Sequence, residues 1–594
     1  MDSTQIRERA QEYVQREQDK GFRQEVEALL KKRGSDSDGE LSDRFYTDLE
    51  FGTGGLRGVI GGGYNRMNPF VIRRATTGLA RYVKRFVETE RGPDSEAKAV
   101  IAYDCRRYSD VFALEAALVL CSHGIRTYLF SGLRPTPELS YAVRALGADT
   151  GIVLTASHNP PEYNGYKVYW NDGSQVVEPH DTGIISEVQS VQDVPDILSE
   201  DEALKRDLLV YIDSDIDDAF ISMVLRQVIR PQLFTEYASS LGIVYTPLHG
   251  TGAMLMERAF EELGISLDTV PQQRMPDGEF PTVKSPNPEE GAALEYAIQQ
   301  AIETGADLVL GTDPDADRIG IAVRVSDSEF RLITGNQLGV LLADYVLGSL
   351  ASLGKLPEKP AFVKTIVTTE LQRLVAEHHG ARVFETLTGF KHIAALIRSF
   401  EASPGSWNYV MGDEESYGYM IGTEVRDKDA ITAAVLTAEM ALYHASNGSS
   451  IVQRLNELYE QFGYYEERTI SAMFPGQDGV AAMKSLMERF RDDPPAEWGG
   501  EKVRAVRDYS SRTTRYLESG VTEHDIDLPV SNVLQFELDD GSRVSVRPSG
   551  TEPKIKFYAS IHGPAGAALQ EASKEVSERV DRIENAVQSY IPES

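Results

Sequence analysis

The stretch Gly151-Ile152-Val153-Leu154-Thr155-Ala156-Ser157-His158-Asn159-Pro160 joins an apolar run to a polar turn. The apolar half predicts a buried strand, and Pro160 prevents the turn from continuing directly into a helix. In an open α/β sheet, ligands bind beyond the carboxyl ends of the strands. Ser157 is therefore a candidate functional residue, although most turns of this composition are solvated loops.

The chain on either side of this stretch alternates between short apolar runs and amphipathic segments. Strands are predicted at Val100–Tyr103 and Tyr128–Phe130, and the alternation starts again near residues 205 and 330. Alternation of this type predicts parallel, doubly wound sheets in three tandem α/β units, and the chain after about residue 455 predicts a smaller α+β domain. The predicted domains are a helical extension with a polar linker over Gly34–Gly39 (1–40), then 41–205, 206–328, 329–455 and 456–594.

Composition limits the classes of partner. The 594 residues carry 60 Lys and Arg against 92 Asp and Glu, a formal charge of −32. This balance argues against a nucleic-acid or anionic-membrane surface, so positive charge for an anionic substrate must be concentrated locally. There are two cysteines, no apolar segment at the N-terminus and no run of about 18 apolar residues, which predicts a cytoplasmic protein without membrane spans. The sequence does not distinguish a monomer from a dimer.

A second strand is followed by an acidic loop, Gly311-Thr312-Asp313-Pro314-Asp315-Ala316-Asp317-Arg318. Three carboxylates at alternating positions repel one another unless a cation joins them. An EF-hand is excluded because Arg318 and Arg324 occupy the positions of its glycine and its glutamate. Oxygen ligands favour Mg²⁺, and protein-bound Mg²⁺ usually also takes a phosphate oxygen.

Other loops offer groups for phosphate or sugar. Arg547–Lys554 combines Arg, Ser, Gly and Thr in a pattern typical of a phosphate cradle, and Gly412–Gly418 presents carboxylates and a hydroxyl suited to sugar hydroxyls. The glycine-rich turn around Arg57 is equally compatible with a surface loop, whereas Lys167 and Lys391, each beside a turn, are by themselves more typical of surface lysines. No P-loop motif occurs, and Ser157 lacks the glycines of a hydrolase elbow. Its neighbour His158 is not expected to pair with it, because adjacent residues seldom reach that geometry.

Together these motifs resemble the α-D-phosphohexomutase superfamily, the phosphoglucomutases and phosphomannomutases. The resemblance runs from about Phe51 to Tyr558 in the family's order and spacing. The length, the stretch Phe51–Asn65 and the segment Asp427–Asp429 are most similar to the bacterial phosphoglucomutase-2/phosphopentomutase branch. The resemblance implies three mixed α/β domains of similar topology and a fourth, TATA-binding-protein-like domain.

The resemblance also implies roles for individual residues. Ser157 would carry a phosphoryl group and bind Mg²⁺ with Asp313, Asp315 and Asp317. The groups expected around the transferring phosphoryl group are Arg57, His158, Lys167 and Arg318, with Lys167 as the proton carrier and Lys391 as a second one. The groups expected on the substrate are Arg318, Thr388, Gly389, Glu414, Ser416, Lys428, Arg547, Ser549, Gly550 and Thr551.

The reaction implied is the interconversion of glucose 1-phosphate and glucose 6-phosphate through glucose 1,6-bisphosphate, which is intermediate and activator. Pentose or mannose phosphates as substrates, or synthesis of glucose 1,6-bisphosphate, remain alternatives. A sugar-phosphate-binding protein without turnover is the alternative of another class, and the intact serine, aspartates and lysines argue against it.

Overall fold

The structure is a computed structural model that describes residues 1–32, 34–52, 54–192, 196–474, 477–549 and 554–591. It divides into two compact units. The first unit comprises Met1–Gly335, Phe390–Gly412 and Ser416–Ser446, and the second comprises Asn336–Gly389, Asp413–Glu415 and the chain from Asn447 onward. Within the described residues, no helix is both long and apolar enough to cross a membrane.

The N-terminal extension consists of the helices Ser3–Arg16, Lys20–Lys31 and Ser35–Phe45. The prediction of a polar linker over Gly34–Gly39 is wrong, because most of that stretch opens the third helix. Leu41 and Phe45 of this helix are fully buried. Arg44 also fixes it, by donating hydrogen bonds to Glu40 (2.7 Å) and to the carbonyl of Gly62 (2.8 Å). Long-range packing therefore makes a helix from a sequence that resembles a linker.

The first sheet is mixed rather than purely parallel. Its strands lie in the order Gly55–Val59, Tyr163–Trp170, Thr150–Leu154, Lys98–Tyr103, Arg126–Phe130 and Leu209–Ile212. The last four strands are parallel to one another. Strand Tyr163–Trp170 is antiparallel to both of its neighbours, Gly55–Val59 and Thr150–Leu154. The accompanying helices are Pro69–Arg91, Ser109–Ser122, Thr136–Ala145, His180–Ser190 and Glu200–Lys205.

Two details of the first sheet differ from the predictions. Asn164–Lys167 lies inside a strand rather than in a turn, because the aromatic residues Tyr166, Tyr169 and Trp170 of that strand are buried. Strand Leu209–Ile212 follows the boundary predicted near residue 205, yet it pairs with Arg126–Phe130 and completes this sheet.

The second sheet is also mixed. Its strands lie in the order Glu329–Ile333, Ile319–Ser326, Leu308–Thr312, Ile243–Thr246 and Asp268–Thr269, and the last three are parallel. Its α-helices are Ser214–Arg226, Gln232–Tyr237, Ala253–Glu262, Pro271–Arg274 and Glu295–Thr304, with 3₁₀ turns at Ala238–Ser240 and Gly291–Leu294. The acidic loop joins the antiparallel pair Leu308–Thr312 and Ile319–Ser326.

The third α/β region follows. Its strands are Pro360–Thr365, Arg382–Thr386, Asn408–Glu414 and Gly418–Ile421, of which the first two pair in parallel. Its helices are Gly335–Ser352, Glu370–His378, Phe390–Glu401, Ala430–Ser446 and Ile451–Phe462.

The C-terminal part of the second unit contains a sheet whose strands pair in antiparallel fashion. Its strands lie in the order Tyr465–Met473, Lys554–His562, Arg543–Pro548, Leu534–Leu538, Glu501–Asp508, Thr513–Tyr516 and Thr522–Glu523, with Glu497–Trp498 paired to Glu501–Asp508. Helices Gln477–Asp492 and Leu569–Gln588 accompany it. Trp498, Phe536 and Phe557 are buried in its core. The predicted α+β C-terminal domain is confirmed.

Candidate active site

Ser157 lies where the central strand Thr150–Leu154 ends, as the sequence predicts. It is 4% exposed and has a left-handed backbone with φ 52°. Its N–H donates to the Oγ1 of Thr155 (2.8 Å), and its Oγ donates to the Oδ2 of Asp313 (2.6 Å). The serine hydroxyl is thus directed at the acidic loop of the second sheet, 156 residues further along the chain.

The three aspartates of the acidic loop converge. Asp313, Asp315 and Asp317 are buried, and each offers a carboxylate oxygen within 4.8 Å of the others. The Oδ1 of Asp313 accepts the backbone N–H groups of Asp317 (3.1 Å) and Arg318 (3.0 Å), so the loop holds its own first carboxylate. Burial and the two neighbouring carboxylates raise the pKa of Asp313.

The residues present fit a hard divalent cation. The Oδ1 atoms of Asp315 and Asp317 are buried and have no hydrogen-bond partner among the described residues. An orphaned buried carboxylate oxygen is costly, and a cation that takes oxygen ligands would remove that cost. Thr136, which no sequence motif indicates, also donates to the Oδ2 of Asp315 (2.8 Å).

Two lysines contact the same carboxylates. The Nζ of Lys167 lies 2.7 Å from Asp315 and 3.4 Å from Asp317, and the Nζ of Lys428 lies 3.1 Å from Asp317 and 3.0 Å from Asp427. Burial alone would lower the pKa of Lys167, but the carboxylates of Asp315 and Asp317 raise it. Lys428, predicted only as a substrate contact, therefore belongs to the same charged centre as Lys167.

His158 approaches Ser157 more closely than expected. Its Nδ1 lies 3.2 Å from the Ser157 Oγ, so the expectation that these neighbours would not pair is wrong. The left-handed turn at Ser157 allows this approach. Burial lowers the pKa of His158 well below its ordinary value, and the charges of Arg318 and Arg57 lower it further, which favours the neutral imidazole.

Two guanidinium groups border the serine loop. Arg57, on strand Gly55–Val59, donates to the Oδ1 of Asn159 (3.3 Å). Arg318 pairs with Glu289, and its Nε lies 3.8 Å from Asp317. With Lys167 and Lys428 they concentrate positive charge in a chain whose formal charge is −32. The first unit also contains Lys391, in helix Phe390–Glu401, and Ser416.

The remaining predicted residues that the structure describes lie in the second unit. The N–H of Gly389, which follows Thr388, donates to the carboxylate of Glu414. The N–H of Ser549 donates to the carbonyl of Lys554 (2.8 Å), closing the predicted phosphate loop. Gly550 and Thr551 lie outside the described residues.

Two further residues of the second unit, Lys556 and Glu415, carry charge near the predicted substrate residues and were not predicted from the sequence. Lys556 is directly opposite Arg547 in the antiparallel ladder, so their side chains leave the same face of the sheet. The alternation Lys554-Ile555-Lys556 is the signal that would have identified it. Burial and Glu414 raise the pKa of Glu415 to about 7, while the charges of Lys556 and Arg547 oppose the rise.

Fold and site together define an enzyme class, the phosphosugar mutases: three mixed α/β domains and a C-terminal β-rich domain, with a serine facing a carboxylate cluster and a cationic surround. Models of the phosphoglucomutase/phosphomannomutase family match residues 48–194, 218–326 and 334–462 as α/β/α domains I, II and III, and residues 496–578 as the C-terminal domain. The chain belongs to the phosphoglucomutase/phosphomannomutase family.

Individual relatives agree with this assignment. A phosphoglucomutase of Staphylococcus haemolyticus (strain JCSC1435) is 36% identical over 524 residues, 87% of this chain and 91% of the relative. A phosphoglucomutase of Staphylococcus aureus (strain USA300) is 35% identical over 535 residues, 89% and 92% of the two chains.

Two solved structures share the fold. Parafusin from Paramecium, a phosphoglucomutase in its open form, has a TM-score of 0.65 at 18% identity, over 91% of this chain and 96% of that one. A putative phosphomannomutase from Thermus thermophilus has a TM-score of 0.62 at 22% identity, over 90% and 99%.

Proposed function

We propose that this protein is a phosphoglucomutase that interconverts glucose 1-phosphate and glucose 6-phosphate through a phosphorylated Ser157. The observation that supports this most strongly is the 2.6 Å contact between the Ser157 hydroxyl and Asp313, inside a buried site with several cationic groups. The phosphoglucomutases that match this chain at 35–36% identity support the choice of glucose. Glucose 1,6-bisphosphate is the intermediate and the activator in this proposal.

The reaction consists of two transfers. In the first, the bond between the Ser157 Oγ and phosphorus breaks while the 6-hydroxyl oxygen of glucose 1-phosphate bonds to phosphorus and loses its proton to a base. The resulting bisphosphate then turns around. In the second, the Ser157 Oγ bonds to the phosphorus at C1, and the released C1 oxygen takes up a proton, giving glucose 6-phosphate. Transfers of this kind need alignment and charge neutralisation more than covalent help.

Asp313, Asp315, Asp317 and the oxygen of Ser157 would hold Mg²⁺. When bound there, the ion supplies Lewis-acid stabilisation of phosphoryl oxygens. Arg57, which contacts Asn159 of the serine loop, and Arg318, which lies beside Asp317 of the acidic loop, would bind the remaining phosphoryl charge. The neutral imidazole of His158, whose Nδ1 lies 3.2 Å from the Ser157 Oγ, contributes a hydrogen bond to that oxygen.

Lys167 is the group that we assign to carry the substrate proton. Its ammonium is stabilised by Asp315 and Asp317, and burial favours the neutral amine once those carboxylates are neutralised. A proton carrier of this type contributes roughly 10²–10⁴-fold to the rate. Lys428, on the other side of Asp317, and Lys391 are candidates for the opposite proton transfer.

In this proposal the remaining predicted residues also bind the substrate. Arg547, Ser549 and Lys556 bind the phosphate that is not reacting, together with Gly550 and Thr551. Glu414, held by the N–H of Gly389, binds sugar hydroxyls. Ser416 and Thr388 contact the same sugar.

Turnover of the Ser157→Ala variant tests the proposal. We expect a loss of at least about 10³-fold in kcat with glucose 1-phosphate, because no oxygen remains to carry the phosphoryl group. Ser190→Ala, an exposed serine at the end of helix His180–Ser190, is the matched control and should keep full activity. Mutase activity that survives in Ser157→Ala would refute the mechanism.

A substrate panel separates the alternatives. Wild-type protein is assayed in parallel with glucose 1-, mannose 1- and ribose 1-phosphate, and glucose 1-phosphate should give the highest kcat/KM. Preference for another sugar would move the proposal to a phosphomannomutase or a phosphopentomutase while leaving Ser157 in its role. Net formation of glucose 1,6-bisphosphate from a phosphoryl donor would indicate a synthase.

We place the protein in the cytoplasm, supported by the free thiols of Cys105 and Cys121.

A further inference from the structure

Arg106 makes an unusual set of contacts beneath the serine loop. It follows strand Lys98–Tyr103, and its side chain is completely buried. Its Nη1 donates to the carbonyls of Pro160 (2.8 Å) and Tyr163 (3.0 Å), and its Nη2 donates to the carbonyls of Ser157 (2.5 Å) and Asn159. One guanidinium thus binds four backbone carbonyls of a single seven-residue segment.

The guanidinium is itself held in place from two directions. Asp104 lies 3.5 Å from its Nε, and the Oδ1 of Asp104 accepts the backbone N–H of Arg106 (2.9 Å) and the hydroxyl of Ser109 (2.8 Å). The ring of Phe280 covers the guanidinium at 5.0 Å, in cation–π geometry. Arg106 therefore has little freedom to move away from the loop.

The Nη donors of Arg106 are taken by the loop, and its Nε, which has no hydrogen-bond partner among the described residues, is buried beside Asp104 and out of reach of a substrate. A guanidinium has five N–H groups. The two Nη atoms are directed at the four carbonyls, and the Nε faces Asp104. Arg106 differs in this respect from Arg57 and Arg318, which border the reacting group. Its effect on the reaction must pass through the backbone of the loop.

The backbone of Ser157 needs such support. A non-glycine residue in the left-handed region is sterically disfavoured, and it persists where surrounding contacts impose it. Thr155 binds the N–H of Ser157 and Arg106 binds its carbonyl, so both peptide groups that flank its φ and ψ angles are fixed. This conformation directs the Oγ toward Asp313.

We infer that Arg106 is a positioning residue that holds the Ser157 loop in its left-handed conformation and so keeps the phosphoryl-carrying oxygen aligned with the acidic loop. The inference rests on the proposed role of Ser157. Misplacement of a reacting group by about 1 Å can cost about 10²-fold in rate. Because Arg106 does not contact the substrate, its substitution should lower kcat and leave KM nearly unchanged.

The variants Arg106→Lys and Arg106→Gln test this inference, with Arg107→Lys and Arg107→Gln as matched controls. Arg107 is the next residue, and its exposed side chain pairs with Glu279 rather than with the serine loop. The measurements are kcat and KM for glucose 1-phosphate with saturating glucose 1,6-bisphosphate, and the rate at which dephosphorylated protein gains a phosphoryl group, followed by intact mass. Circular dichroism and Tm identify the folded variants.

Both Arg106 variants should lose about 100-fold in kcat and in phosphorylation rate, with KM within about threefold of wild type. Both Arg107 variants should match wild type. If Arg106→Gln does not fold, Arg106→Lys remains, because it keeps the buried positive charge but cannot bind four carbonyls with three N–H groups. Added guanidinium should restore part of the kcat of Arg106→Ala, an effect that a lost structural contact elsewhere would not produce.

Three results would overturn the inference: folded Arg106 variants with kcat and phosphorylation rate within about threefold of wild type, a rise in KM at constant kcat, or losses equal to those of the Arg107 variants. All three would leave the proposed function intact, because wild type would still turn over glucose 1-phosphate. Wild-type protein without mutase activity would instead refute the proposed function, and the inference with it.

Discussion

At the residue scale, the site buries three carboxylates close together, and each of them has partners that offset its charge. Asp317 is shared by two lysines, Lys167 and Lys428, while Asp313 receives backbone N–H groups and the serine hydroxyl. Each carboxylate thus has a different set of partners. Asp313 binds the serine, Asp315 binds Lys167 and Thr136, and Asp317 binds the two ammonium groups. Removing one partner should therefore affect one carboxylate more than the others.

Thr136→Val is predicted to weaken the response to Mg²⁺. The variant loses the hydroxyl that donates to the Oδ2 of Asp315 (2.8 Å), and groups that orient a metal ligand typically contribute about 10–100-fold to affinity. The Mg²⁺ concentration for half-maximal activity should rise by about that factor. Thr136→Ser, which keeps the hydroxyl, should stay near wild type. Equal Mg²⁺ titrations for all three proteins would show that Thr136 does not orient Asp315.

The stability of the protein is predicted to depend on the ionisation of Glu415. Its pKa in the folded protein is about 7, above the ordinary value of about 4.3, so the folded state binds this proton more tightly than the unfolded state does. Its effect on stability therefore becomes unfavourable as pH rises from about 4 through 7. Glu415→Gln cannot ionise, and its Tm should gain on that of wild type by about 2–4 °C between pH 5 and pH 8.

The control for Glu415 is Glu488→Gln, at an exposed position of helix Gln477–Asp492. Its Tm relative to wild type should not change with pH. A Glu415→Gln difference that is also independent of pH would mean that Glu415 ionises normally in the folded protein.

At the scale of the element, the helix Ser35–Phe45 shows what local sequence cannot convey. Its stretch of Ser, Asp and Gly has the composition of a linker, and its helix is fixed by burial of Leu41 and Phe45 and by the contacts of Arg44. Those contacts join residues that are far apart in the chain. Composition alone could therefore not predict them.

Phe45→Ala tests whether this helix contributes to the folded unit. Phe45 is fully buried, with ring centroids 5.7 Å from Tyr13 and 5.8 Å from Tyr64. The substitution should cost roughly 3–5 kcal/mol and lower the Tm of the first unit. Its neighbour Tyr46 is 49% exposed, and Tyr46→Ala should be close to neutral. Equal effects of the two substitutions would contradict the packing described for this helix.

One antiparallel strand, Tyr163–Trp170, was predicted as a turn. Tyr163–Trp170 contains Asn164 and Lys167, polar residues that break an apolar run and resemble a turn. Both have polar partners in the folded chain, since Lys167 contacts Asp315 and Asn164 donates to the carbonyl of Arg107 (2.9 Å). Parallel strands such as Thr150–Leu154 are buried along their whole length and were found easily. Polar residues whose partners lie elsewhere in the chain thus made this strand difficult to predict.

At the scale of the whole molecule, the family motifs predicted the site better than the local patterns did. Ser157, the three aspartates and Lys167 converge as the resemblance implied, although 156 residues separate Ser157 from Asp313. Arg106, Thr136 and Lys556 escaped because each acts through a contact that only the folded chain creates. No pattern of residue types marks an arginine that binds backbone carbonyls.

The claim that all of this supports is that Ser157 carries the transferred phosphoryl group. The most direct test is intact-mass and peptide mass spectrometry of wild type and Ser157→Ala after incubation with glucose 1,6-bisphosphate, followed by addition of glucose 6-phosphate. Wild type should gain one phosphoryl group, on the peptide that contains Ser157, and should lose it when glucose 6-phosphate is added, while Ser157→Ala should gain none. A phosphoryl group on another residue, or turnover without any phosphorylated protein, would contradict this account.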